Sequence, residues 1–339
     1  MKTLTCVTPG KLEYKETARP ALNKGQAILK IKRIGVCGTD LHAFEGTQPY
    51  FNYPRVLGHE LCAELVDLDG RKDFSEKDLV TIIPYFNCGE CIACRRGKPN
   101  CCTSIQVCGV HIDGGMTEYL SVPSYSLVGG HGLEPDCLAL IEPLAIGAHA
   151  VNRADIQPGE FVLVVGAGPI GLGTMEFARI AGGVVIAMDV VESRLDFCRK
   201  CLNVPYAING KSGTVVEQLK EITNGDMPTV VIDATGNKNA IERSFSFMAH
   251  GARYVLVGLQ KGDLQFSHPE FHKREGTLMS SRNATREDFE SVIGCIRSDL
   301  INPTLYITHR VPFNNVAEQF PSWLDPAQGV IKAMIEMND

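Results

Sequence analysis

Four cysteines with the spacing of metal ligands stand in the segment NCGECIACRRGKPNCC. Cys88, Cys91, Cys94 and Cys102 follow the pattern C-x₂-C-x₂-C-x₇-C, and Cys101 directly precedes the last of them. Turns of this kind bring four thiolates to one tetrahedral cation, and four protein ligands leave no position for a substrate. The bacterial ferredoxin pattern needs a final C-x₃-C-P, which is absent here. The spacing therefore predicts a structural zinc site and leaves open whether Cys101 or Cys102 is the fourth ligand.

A second set of metal-ligand types is formed by Cys37, His59 and Glu60, in the motifs G-V-C-G-T-D-L-H and G-H-E. A catalytic zinc keeps three protein ligands and an open position for water or substrate. Each residue also has an ordinary structural explanation: a buried thiol, a hydrogen-bonded imidazole and a surface carboxylate. Taken alone, these three residues leave a metal site and a structural role equally open.

A third chemical signal is the stretch from Phe161 to Asp189, FVLVVGAGPIGLGTMEFARIAGGVVIAMD. A short apolar strand ends at Gly166, and Gly168 and Gly171 complete G-x-G-x-x-G before a segment of helical periodicity. Such glycines make a tight turn, let backbone approach a pyrophosphate at a helix N-terminus, and let the helix pack closely on the strand. A glycine-rich turn can also bind nothing, but here a second strand ends at Asp189, where a carboxylate can bind the ribose hydroxyls and repel a 2′-phosphate. The stretch predicts a βαβ unit that binds NAD rather than NADP.

Composition narrows the class of protein. A chain of 339 residues favours two domains, and 44% hydrophobic with 21% charged residues is ordinary for a globular protein. The net charge of −6 gives no basic surface for nucleic acid, and no uncharged run of about 20 residues predicts a membrane span. The N-terminal residues show no apolar signal region. Of 13 cysteines, six lie between Cys88 and Cys108, which favours metal-bound thiols over disulfides and a cytoplasmic location.

The remaining pattern predicts the architecture. Residues 1–36 alternate short apolar runs with Pro and Gly, as in antiparallel β structure, and Pro158-Gly159 marks the connection into the dinucleotide unit. Two more buried strands are expected at Val230–Gly236 and Tyr254–Leu259. Strands alternating with helices predict an α/β fold with a doubly wound parallel sheet and its ligand at the carboxyl ends of the strands. From about Asn302 the chain is irregular and Pro-rich again, so we expect it to return to the first domain.

The motifs together resemble the zinc-dependent medium-chain alcohol/polyol dehydrogenases. C-G-T-D-x-H, G-H-E, the four-cysteine segment, E-P-L and G-x-G-x-x-G occur in that family's order and approximate spacing over nearly the whole chain. The resemblance implies a GroES-like β-rich catalytic domain over residues 1–146, with the structural zinc segment at 88–102. It also implies a Rossmann NAD-binding domain over 147–283 and a return to the catalytic domain over 284–339. It further implies a homo-oligomer, either a dimer or a tetramer.

The resemblance also implies roles for individual residues. Glu142, in IEPLAIGAHA, stands where the polyol branch carries Glu, so the implied catalytic zinc ligands are Cys37, His59 and Glu142. Glu60 then lies beside the metal and binds it directly or through water, and Cys102 is favoured as the fourth ligand of the structural zinc. Thr39 and His42 match the positions that pass the alcohol proton towards solvent. The implied cofactor-binding residues are Gly166, Gly168, Pro169, Ile170, Gly171, Asp189, Arg194, Thr235, Gly258 and Arg282.

Three segments indicate a substrate class within the family. GTQPYFNYPRVLGHE, GVHIDGGMTEY and LQFSHPEFHKREGTLMSSRNATREDF resemble the L-galactonate/L-gulonate 5-dehydrogenases, which oxidise an aldonate at carbon 5. The candidate substrate-binding residues are His111, Lys273 and Asn283, and no particular cation is assigned to the substrate carboxylate.

Other functions stay open at this stage. L-threonine 3-dehydrogenase shares C-G-T-D-L-H and the cysteine segment, and a general sorbitol-type polyol dehydrogenase fits the same zinc ligands. A non-catalytic NAD-binding regulatory protein is a remote alternative. It is disfavoured because the implied ligands Cys37, His59 and Glu142 are all present.

Overall fold

The computed structural model describes residues 1–49 and 51–337, which fall into two compact units. The first unit comprises Met1–Pro143 and Ala284–Asp339, and the second comprises Leu144–Asn283. The division after Pro143 lies three residues before the expected boundary, and Pro158-Gly159 stands inside the second unit. Tyr50, which belongs to the segment GTQPYFNYPRVLGHE, lies outside the described residues. Over the described ranges, no helix has both the length and the apolar character needed to cross a membrane.

The first unit is rich in β structure. Its strands are β1 (Lys2–Thr8), β2 (Lys11–Glu16), β3 (Gln26–Val36), β4 (Arg55–Val56), β5 (Glu60–Leu68), β6 (Leu79–Ile82), β7 (Tyr85–Phe86), β8 (Gln106–Val107), β9 (Tyr119–Pro123), β10 (Leu127–Gly129), β17 (Ile307–Pro312) and β18 (Lys332–Glu336). Its helices are short apart from α10, and they are α1 (Gly38–Glu45), α2 (Ile92–Arg95), α3 (Pro135–Ala139), α10 (Arg286–Arg297) and α11 (Val316–Gln319).

The strand β3 is the centre of the first unit. It pairs antiparallel with β5, β9 and β18 in a seven-stranded sheet whose main path is β10-β6-β5-β3-β18-β17. Apolar side chains from the N-terminal and C-terminal segments form one core, among them Leu29, Ile34, Leu61 and Ile335, each at most 1% exposed. The C-terminal segment therefore completes the sheet that the N-terminal segment begins, because β18 lies directly beside β3.

The second unit alternates strands and helices. Its strands are β11 (Phe161–Val165), β12 (Val184–Asp189), β13 (Tyr206–Asn209), β14 (Val230–Asp233), β15 (Arg253–Leu256) and β16 (Thr277–Ser280). Its helices are α5 (Pro169–Ile180), α6 (Glu192–Cys201), α7 (Val215–Ile222), α8 (Lys238–Ser244) and α9 (His268–Lys273), and α4 (Ile141–Ala154) enters it from the first unit.

The strands of the second unit form one parallel sheet in the order β13-β12-β11-β14-β15-β16. This is the 3-2-1-4-5-6 order of a dinucleotide-binding Rossmann fold, in which ligands bind at the carboxyl ends of the strands. Val162, Leu163 and Val164 of β11 are fully buried, as the continuous apolar run predicts for a strand covered on both faces.

One expected strand is shorter than its apolar run. The sequence predicts a buried strand over Tyr254–Leu259, but β15 ends at Leu256 and Leu259 is 68% exposed. The backbone N–H groups of Val257 and Gly258 donate to the carbonyl of Asp233, at 2.9 and 3.1 Å, so the chain turns out of the sheet there. The hydrophobic pattern alone does not predict this turn, because the turn depends on the carbonyl of Asp233 at the end of the neighbouring strand β14.

Candidate active site and structural metal site

Two neighbouring strands bring the predicted ligands Cys37, His59 and Glu60 together. Cys37 follows β3 and begins α1, while Glu60 is the first residue of β5 and is paired with Gly35 of β3. The ligand atoms of Cys37, His59 and Glu60 all lie within 4.8 Å of one another. His59 and Glu60 are 5% and 0% exposed. A sulfur, a nitrogen and a carboxylate held this closely away from water are suited to a zinc ion with one open position.

A buried carboxylate lies beside the histidine of this set. Asp40 is fully buried and accepts hydrogen bonds from the backbone N–H of Cys37, at 2.9 Å, and of Gly58, at 3.1 Å. Its Oδ1 lies 3.8 Å from Nδ1 of His59, and within the described residues that buried Nδ1 has no hydrogen-bond partner. A metal-binding histidine usually directs its second N–H to a carboxylate, and Asp40 is the carboxylate on that side.

The electrostatics of the site depend on its burial. Burial lowers the pKa of His59, but the negative charges of Cys37 and Asp40 outweigh it and raise that pKa well above its ordinary value. Burial is also the main cause that raises the pKa of Asp40 and of Glu142. Several acidic groups thus surround one buried imidazole, and a divalent cation would relieve their repulsion.

Glu142 lies near the start of α4 and is 4% exposed. Its Oε1 accepts a hydrogen bond from the hydroxyl of Tyr85, which is itself 5% exposed. The charge of Glu142 contributes to the raised pKa of His59, so the two side chains interact. The group whose ligand atoms lie within 4.8 Å contains Glu60 and not Glu142, so Glu142 as a zinc ligand stays a prediction.

Lys332 is a site residue that the sequence analysis missed. Its Nζ lies 2.6 Å from both carboxylate oxygens of Glu60 and 3.1 Å from the carbonyl oxygen of Val36, and its side chain is 2% exposed. Burial lowers the pKa of Lys332, but the charges of Glu60 and Cys37 outweigh this effect and raise the pKa above its ordinary value. The available signal was a lone lysine in the apolar stretch V-I-K-A-M-I-E, in a segment expected to return to the first domain.

The predicted proton relay stands on α1. Thr39 is half-buried in the first turn, and His42 lies three residues further on with its side chain 61% exposed. Nδ1 of His42 lies 3.2 Å from Oε2 of Glu45 and 3.4 Å from the hydroxyl of Thr47. One turn of helix therefore connects Thr39, two residues after Cys37, with an imidazole that contacts solvent.

His111 belongs to a loop that packs on the metal-ligand segment. Added Cβ atoms at Gly109 and Gly114 would lie 2.9 and 2.4 Å from the carbonyl oxygen of Gly58, so these glycines allow the close approach. The backbone N–H of Val107 donates to Nδ1 of His111 at 3.0 Å. Because Nδ1 accepts, the neutral imidazole carries its proton on Nε2 and can donate from that side.

The four cysteines of the other predicted site form a compact cluster. Sγ of Cys91 lies 3.5 Å from Sγ of Cys94, and Sγ of Cys102 lies 3.5 Å from Sγ of Cys88. Four sulfurs at about 2.3 Å from one tetrahedral zinc are roughly 3.8 Å apart, so this spacing fits a metal, and it is far too long for disulfides. Cys102 belongs to the cluster, whereas Cys101 ends a short 3₁₀ helix and is exposed.

Backbone donors prepare this cluster for a cation. Hydrogen bonds from the backbone of Cys94 and Thr103 lower the pKa of Cys91 to about 5, whereas burial raises the pKa of Cys102 to about 11. Backbone N–H groups of Cys88 and Ser104 donate to Sγ of Cys102 at 3.3 and 3.4 Å. Metals bind the thiolate form, so a bound zinc would hold Cys102 deprotonated as well.

In the second unit the glycine turn has the geometry of a dinucleotide site. Gly166 has φ +101°, and a Cβ at Gly171 would lie 1.8 Å from the carbonyl oxygen of Gly166. Gly168 caps α5, with Pro169 and Ile170 in the first turn, and a Cβ there would meet no protein atom within 4 Å. Gly166 and Gly171 are thus required by the turn itself, whereas the protein's own packing does not require Gly168.

Asp189 ends β12, next to the glycine turn. Its carboxylate accepts hydrogen bonds from the backbone N–H of Ala167 at 2.6 Å and of Val191 at 2.9 Å. These bonds fix the carboxylate beside the turn, where the ribose of a dinucleotide would lie. Arg194 is half-buried in the first turn of α6.

The remaining predicted residues of the second unit are dispersed around its strand ends and surface. The hydroxyl of Thr235 donates to Asp233 at 2.8 Å, and a Cβ at Gly258 would lie 2.1 Å from the backbone nitrogen of Gly236. Lys273 is on the exposed helix α9 and lies 3.0 Å from Glu270. Arg282 and Asn283 follow β16 after Ser281, and Asn283 has φ +54°.

Comparison with known proteins agrees with this geometry. The family description "Alcohol dehydrogenase GroES-like domain" matches residues 23–130, and "Zinc-binding dehydrogenase" matches residues 169–298. The chain is 45% identical to the L-galactonate-5-dehydrogenase of Escherichia coli (strain K12) over 99% of this chain and 98% of that protein. It is 31% identical to an L-threonine 3-dehydrogenase of Caldanaerobacter subterraneus subsp. tengcongensis over 86% of each chain.

A solved structure shares the whole fold. The alcohol dehydrogenase RspB of E. coli CFT073, described as a complex with NADH, aligns with a TM-score of 0.92 and 29% identity over 99% of each chain. The chain therefore belongs to the zinc-type medium-chain alcohol dehydrogenase family and is an oxidoreductase. The expected combination of a GroES-like domain and a Rossmann domain is confirmed.

Proposed function

We propose that this protein is an NAD-dependent zinc dehydrogenase that oxidises a secondary alcohol of a sugar acid, with L-galactonate or L-gulonate oxidised at carbon 5. The observation that carries the proposal is the cluster of Cys37, His59 and Glu60 in a chain 45% identical, over almost its full length, to an L-galactonate-5-dehydrogenase. Residues 1–146 and 284–339 would form the catalytic domain, and residues 147–283 would bind NAD.

The chain's own groups have distinct tasks in this reaction. Cys37, His59 and Glu142 hold the catalytic zinc, with Asp40 orienting His59 and Lys332 neutralising Glu60. Zinc bound there would lower the pKa of a substrate hydroxyl, and NAD would take up the hydride. Thr39 accepts the substrate proton at its Oγ1 as it releases its own hydroxyl proton towards His42, and the exposed imidazole of His42 passes a proton to solvent. A second zinc, held by Cys88, Cys91, Cys94 and Cys102, stabilises the fold.

Cofactor choice depends on Asp189. Its carboxylate is held beside the glycine turn by the N–H groups of Ala167 and Val191. A fixed negative charge at that position accepts hydrogen bonds from the ribose hydroxyls of NAD and repels the 2′-phosphate of NADP. Arg194, Thr235, Gly258 and Arg282 are proposed to complete the cofactor site.

Substrate recognition needs polar groups beyond the zinc ligands, because each unmatched hydroxyl in a dry pocket loses hydrogen bonds. His111 is one candidate, and its Nδ1 accepts a hydrogen bond from the backbone N–H of Val107, which fixes the ring. Lys273 and Asn283 are candidates from the second unit. A carboxylate on the substrate would favour a charged donor among these groups.

A homo-oligomer is the proposed state of the protein. The strand β16 lies at one end of the six-stranded sheet, and its Leu278 is 38% exposed. An exposed edge strand with an apolar side chain is a template for pairing with another chain. Light scattering of the protein with Leu278 replaced by Lys would test this.

The cysteine-rich metal segment also supports a cytoplasmic location.

A substrate panel tests the proposed function. The purified protein is assayed with NAD and L-galactonate, L-gulonate, sorbitol, galactitol or L-threonine, and NADH formation is followed by absorbance. We expect the aldonates to exceed the neutral polyols in kcat/KM by roughly tenfold to a hundredfold, because one charge-assisted contact contributes about 1.5–3 kcal/mol. The product should carry its new carbonyl at carbon 5.

Each alternative function predicts another pattern in the same panel. Comparable efficiency with sorbitol and with the aldonates would indicate a general polyol dehydrogenase. Preferential turnover of L-threonine would indicate a threonine 3-dehydrogenase, which the shared C-G-T-D-L-H motif allows. A protein that binds NAD and zinc but oxidises none of these compounds would support a regulatory role.

A further inference from the structure

Tyr85 is a buried residue that neither the predicted ligand set nor the proposed reaction uses. We propose that Tyr85 is a positioning residue for the catalytic zinc: its hydroxyl holds Oε1 of Glu142, so that Oε2 would be the oxygen available to the metal. This inference rests on the proposed function, since it takes Glu142 as a zinc ligand. Under this inference, a side chain that does not itself bind the zinc determines how the zinc is coordinated.

The backbone fixes the direction of the tyrosine. Tyr85 lies in β7, where it is paired antiparallel with Val107 of β8, and the next residue, Phe86, is 8% exposed. The cysteine cluster begins two residues further on, at Cys88. A side chain held between a strand pair and a metal-binding turn has little freedom to rotate, so its hydroxyl is a fixed donor.

The chemistry of the pair allows only one direction of donation. The hydroxyl of Tyr85 has one proton to donate, whereas an ionised carboxylate has only acceptor atoms. The hydroxyl therefore donates and the carboxylate accepts. A carboxylate with one oxygen engaged by a buried donor binds a metal through the other oxygen, which leaves a coordination position open for the substrate.

The second carboxylate of the site differs from Glu142 in its partner. Both oxygens of Glu60 lie 2.6 Å from Nζ of Lys332, so this carboxylate is neutralised by a full positive charge. Glu142 instead has a neutral donor, the hydroxyl of Tyr85. The two partners thus give the two buried carboxylates different roles. Tyr85 holds Glu142 in position to bind zinc, whereas Lys332 engages Glu60 in an ion pair.

The substitution Tyr85→Phe tests the inference, because it removes the hydroxyl and keeps the ring. The full chain is loaded with zinc, and the affinity of the more weakly held ion is measured by competition with a chelator. The same site is then loaded with cobalt(II), whose visible absorption reports the coordination number. We expect Tyr85→Phe to weaken that ion by about tenfold to a hundredfold and to change the cobalt spectrum towards higher coordination.

Two further variants make the result decisive. Tyr254→Phe removes another buried hydroxyl, which donates to the carbonyl of Ile241 at 3.0 Å in the second unit, and it should leave both zinc affinities and the cobalt spectrum unchanged. Glu142→Gln should weaken the same ion as Tyr85→Phe. If Glu142→Gln has no effect on zinc affinity, the proposed ligand set itself is wrong.

The positioning role is wrong if Glu142→Gln lowers the zinc affinity but Tyr85→Phe lowers it by less than about tenfold. A gain in affinity in Tyr85→Phe would also overturn it, since it would show that the hydroxyl competes with the metal. Thermal unfolding of each zinc-loaded variant separates these effects from a general loss of stability, which would release both ions together.

Discussion

Lys332 and Glu60 form a buried ion pair between residues 272 positions apart in the sequence, with Nζ lying 2.6 Å from each carboxylate oxygen. The strand β18 makes this possible, because it lies beside β3 and carries Lys332 to the start of α1. A carboxylate next to a metal site is thereby neutralised by the C-terminal segment of the chain. Direct binding of zinc by Glu60 would compete with this partner for the carboxylate oxygens.

The first prediction concerns this pair. Lys332→Met should destabilise the protein by about 3–5 kcal/mol, because it leaves a buried carboxylate without its counter-charge. The free energy of unfolding in urea measures the loss. The double variant Lys332→Met with Glu60→Gln should recover much of it, since neither residue then carries an uncompensated charge.

A matched control for the lysine pair exists on the surface. Lys200 pairs with Asp196 at 3.2 Å on α6, and its side chain is 74% exposed. Lys200→Met should leave the unfolding transition almost unchanged, because water screens an exposed pair. A loss in Lys332→Met no larger than that in Lys200→Met would mean that Glu60 has found another partner.

The local motifs were predictable from the sequence, and the pairs between distant segments were not. The glycine turn and the cysteine cluster use residues close together in the chain, so spacing alone predicts their shape. Lys332 and Tyr85 meet their partners only through sheet pairing or a strand beside the site, and no local pattern reports that. Asp40 lay in a recognised motif, but its contact with Gly58 depends on how the chain folds back.

The choice between two adjacent cysteines also needed the structure. Cys101 and Cys102 have almost the same separation from Cys94, so spacing could not select between them. The short 3₁₀ helix Pro99–Cys101 leaves Cys101 exposed and makes Cys102 2% exposed, within the cluster. In a turn with about three residues per turn, a shift of one residue rotates the side-chain direction by about 120°.

The second prediction separates the two proposed zinc sites. Cys91→Ser should lower the zinc content by one ion and impair folding, because a structural zinc contributes to stability outright. Cys37→Ser should abolish turnover and leave the fold largely intact. Elemental analysis and far-ultraviolet circular dichroism of both variants are the measurements, and Cys101→Ser is the control, since Cys101 lies outside the cluster. Less than one zinc per chain in the unsubstituted, zinc-replete protein would contradict both assignments.

The third prediction uses an ion network that ties the C-terminal segment to the N-terminal one. Asp136 of α3 contacts Arg33 of β3 at 3.1 Å and Arg310 of β17 at 2.6 Å. Burial opposes ionisation, but the hydrogen bonds and charges of Arg310 and Arg33 hold the pKa of Asp136 below its ordinary value. Asp136→Asn should therefore destabilise the protein at pH 7 by about 0.5–1 kcal/mol, allowing for solvent screening.

The pH dependence of this effect has a defined direction. The folded-state pKa of Asp136 lies below the unfolded-state value of about 3.9, so the stabilisation is complete above that value and is lost as the pH falls through the folded-state pKa. The difference in unfolding free energy between the protein and Asp136→Asn should thus narrow below about pH 4. Asp226→Asn, in an exposed loop, should show no such narrowing. A constant difference down to pH 3 would contradict the ionic account.

The fourth prediction concerns cofactor choice. The unsubstituted protein should strongly prefer NAD, and Asp189→Ser should relax this preference by raising kcat/KM with NADP relative to NAD. The substitution also removes a charged acceptor from the N–H groups of Ala167 and Val191, so a modest drop in melting temperature is expected as well. Measuring kcat/KM with both cofactors together with thermal unfolding separates the two effects. Equal efficiency with both cofactors in the unsubstituted protein would refute the ribose role of Asp189.

The last prediction distinguishes two glycines of the same turn. Gly171→Ala should prevent correct folding of the second unit, because its Cβ would lie 1.8 Å from the carbonyl oxygen of Gly166, far inside van der Waals contact. Gly168→Ala should fold normally, since Gly168 has φ −79° and ψ 178° and its Cβ would meet no protein atom within 4 Å.

Gly168→Ala should nevertheless lose affinity for NADH, because the methyl group would stand where a pyrophosphate approaches the N-terminus of α5. Circular dichroism reports folding, and the fluorescence of bound NADH reports affinity. Full NADH affinity in a folded Gly168→Ala would contradict a pyrophosphate at this helix terminus, whereas a stable Gly171→Ala would mean that the turn can open to accept a side chain.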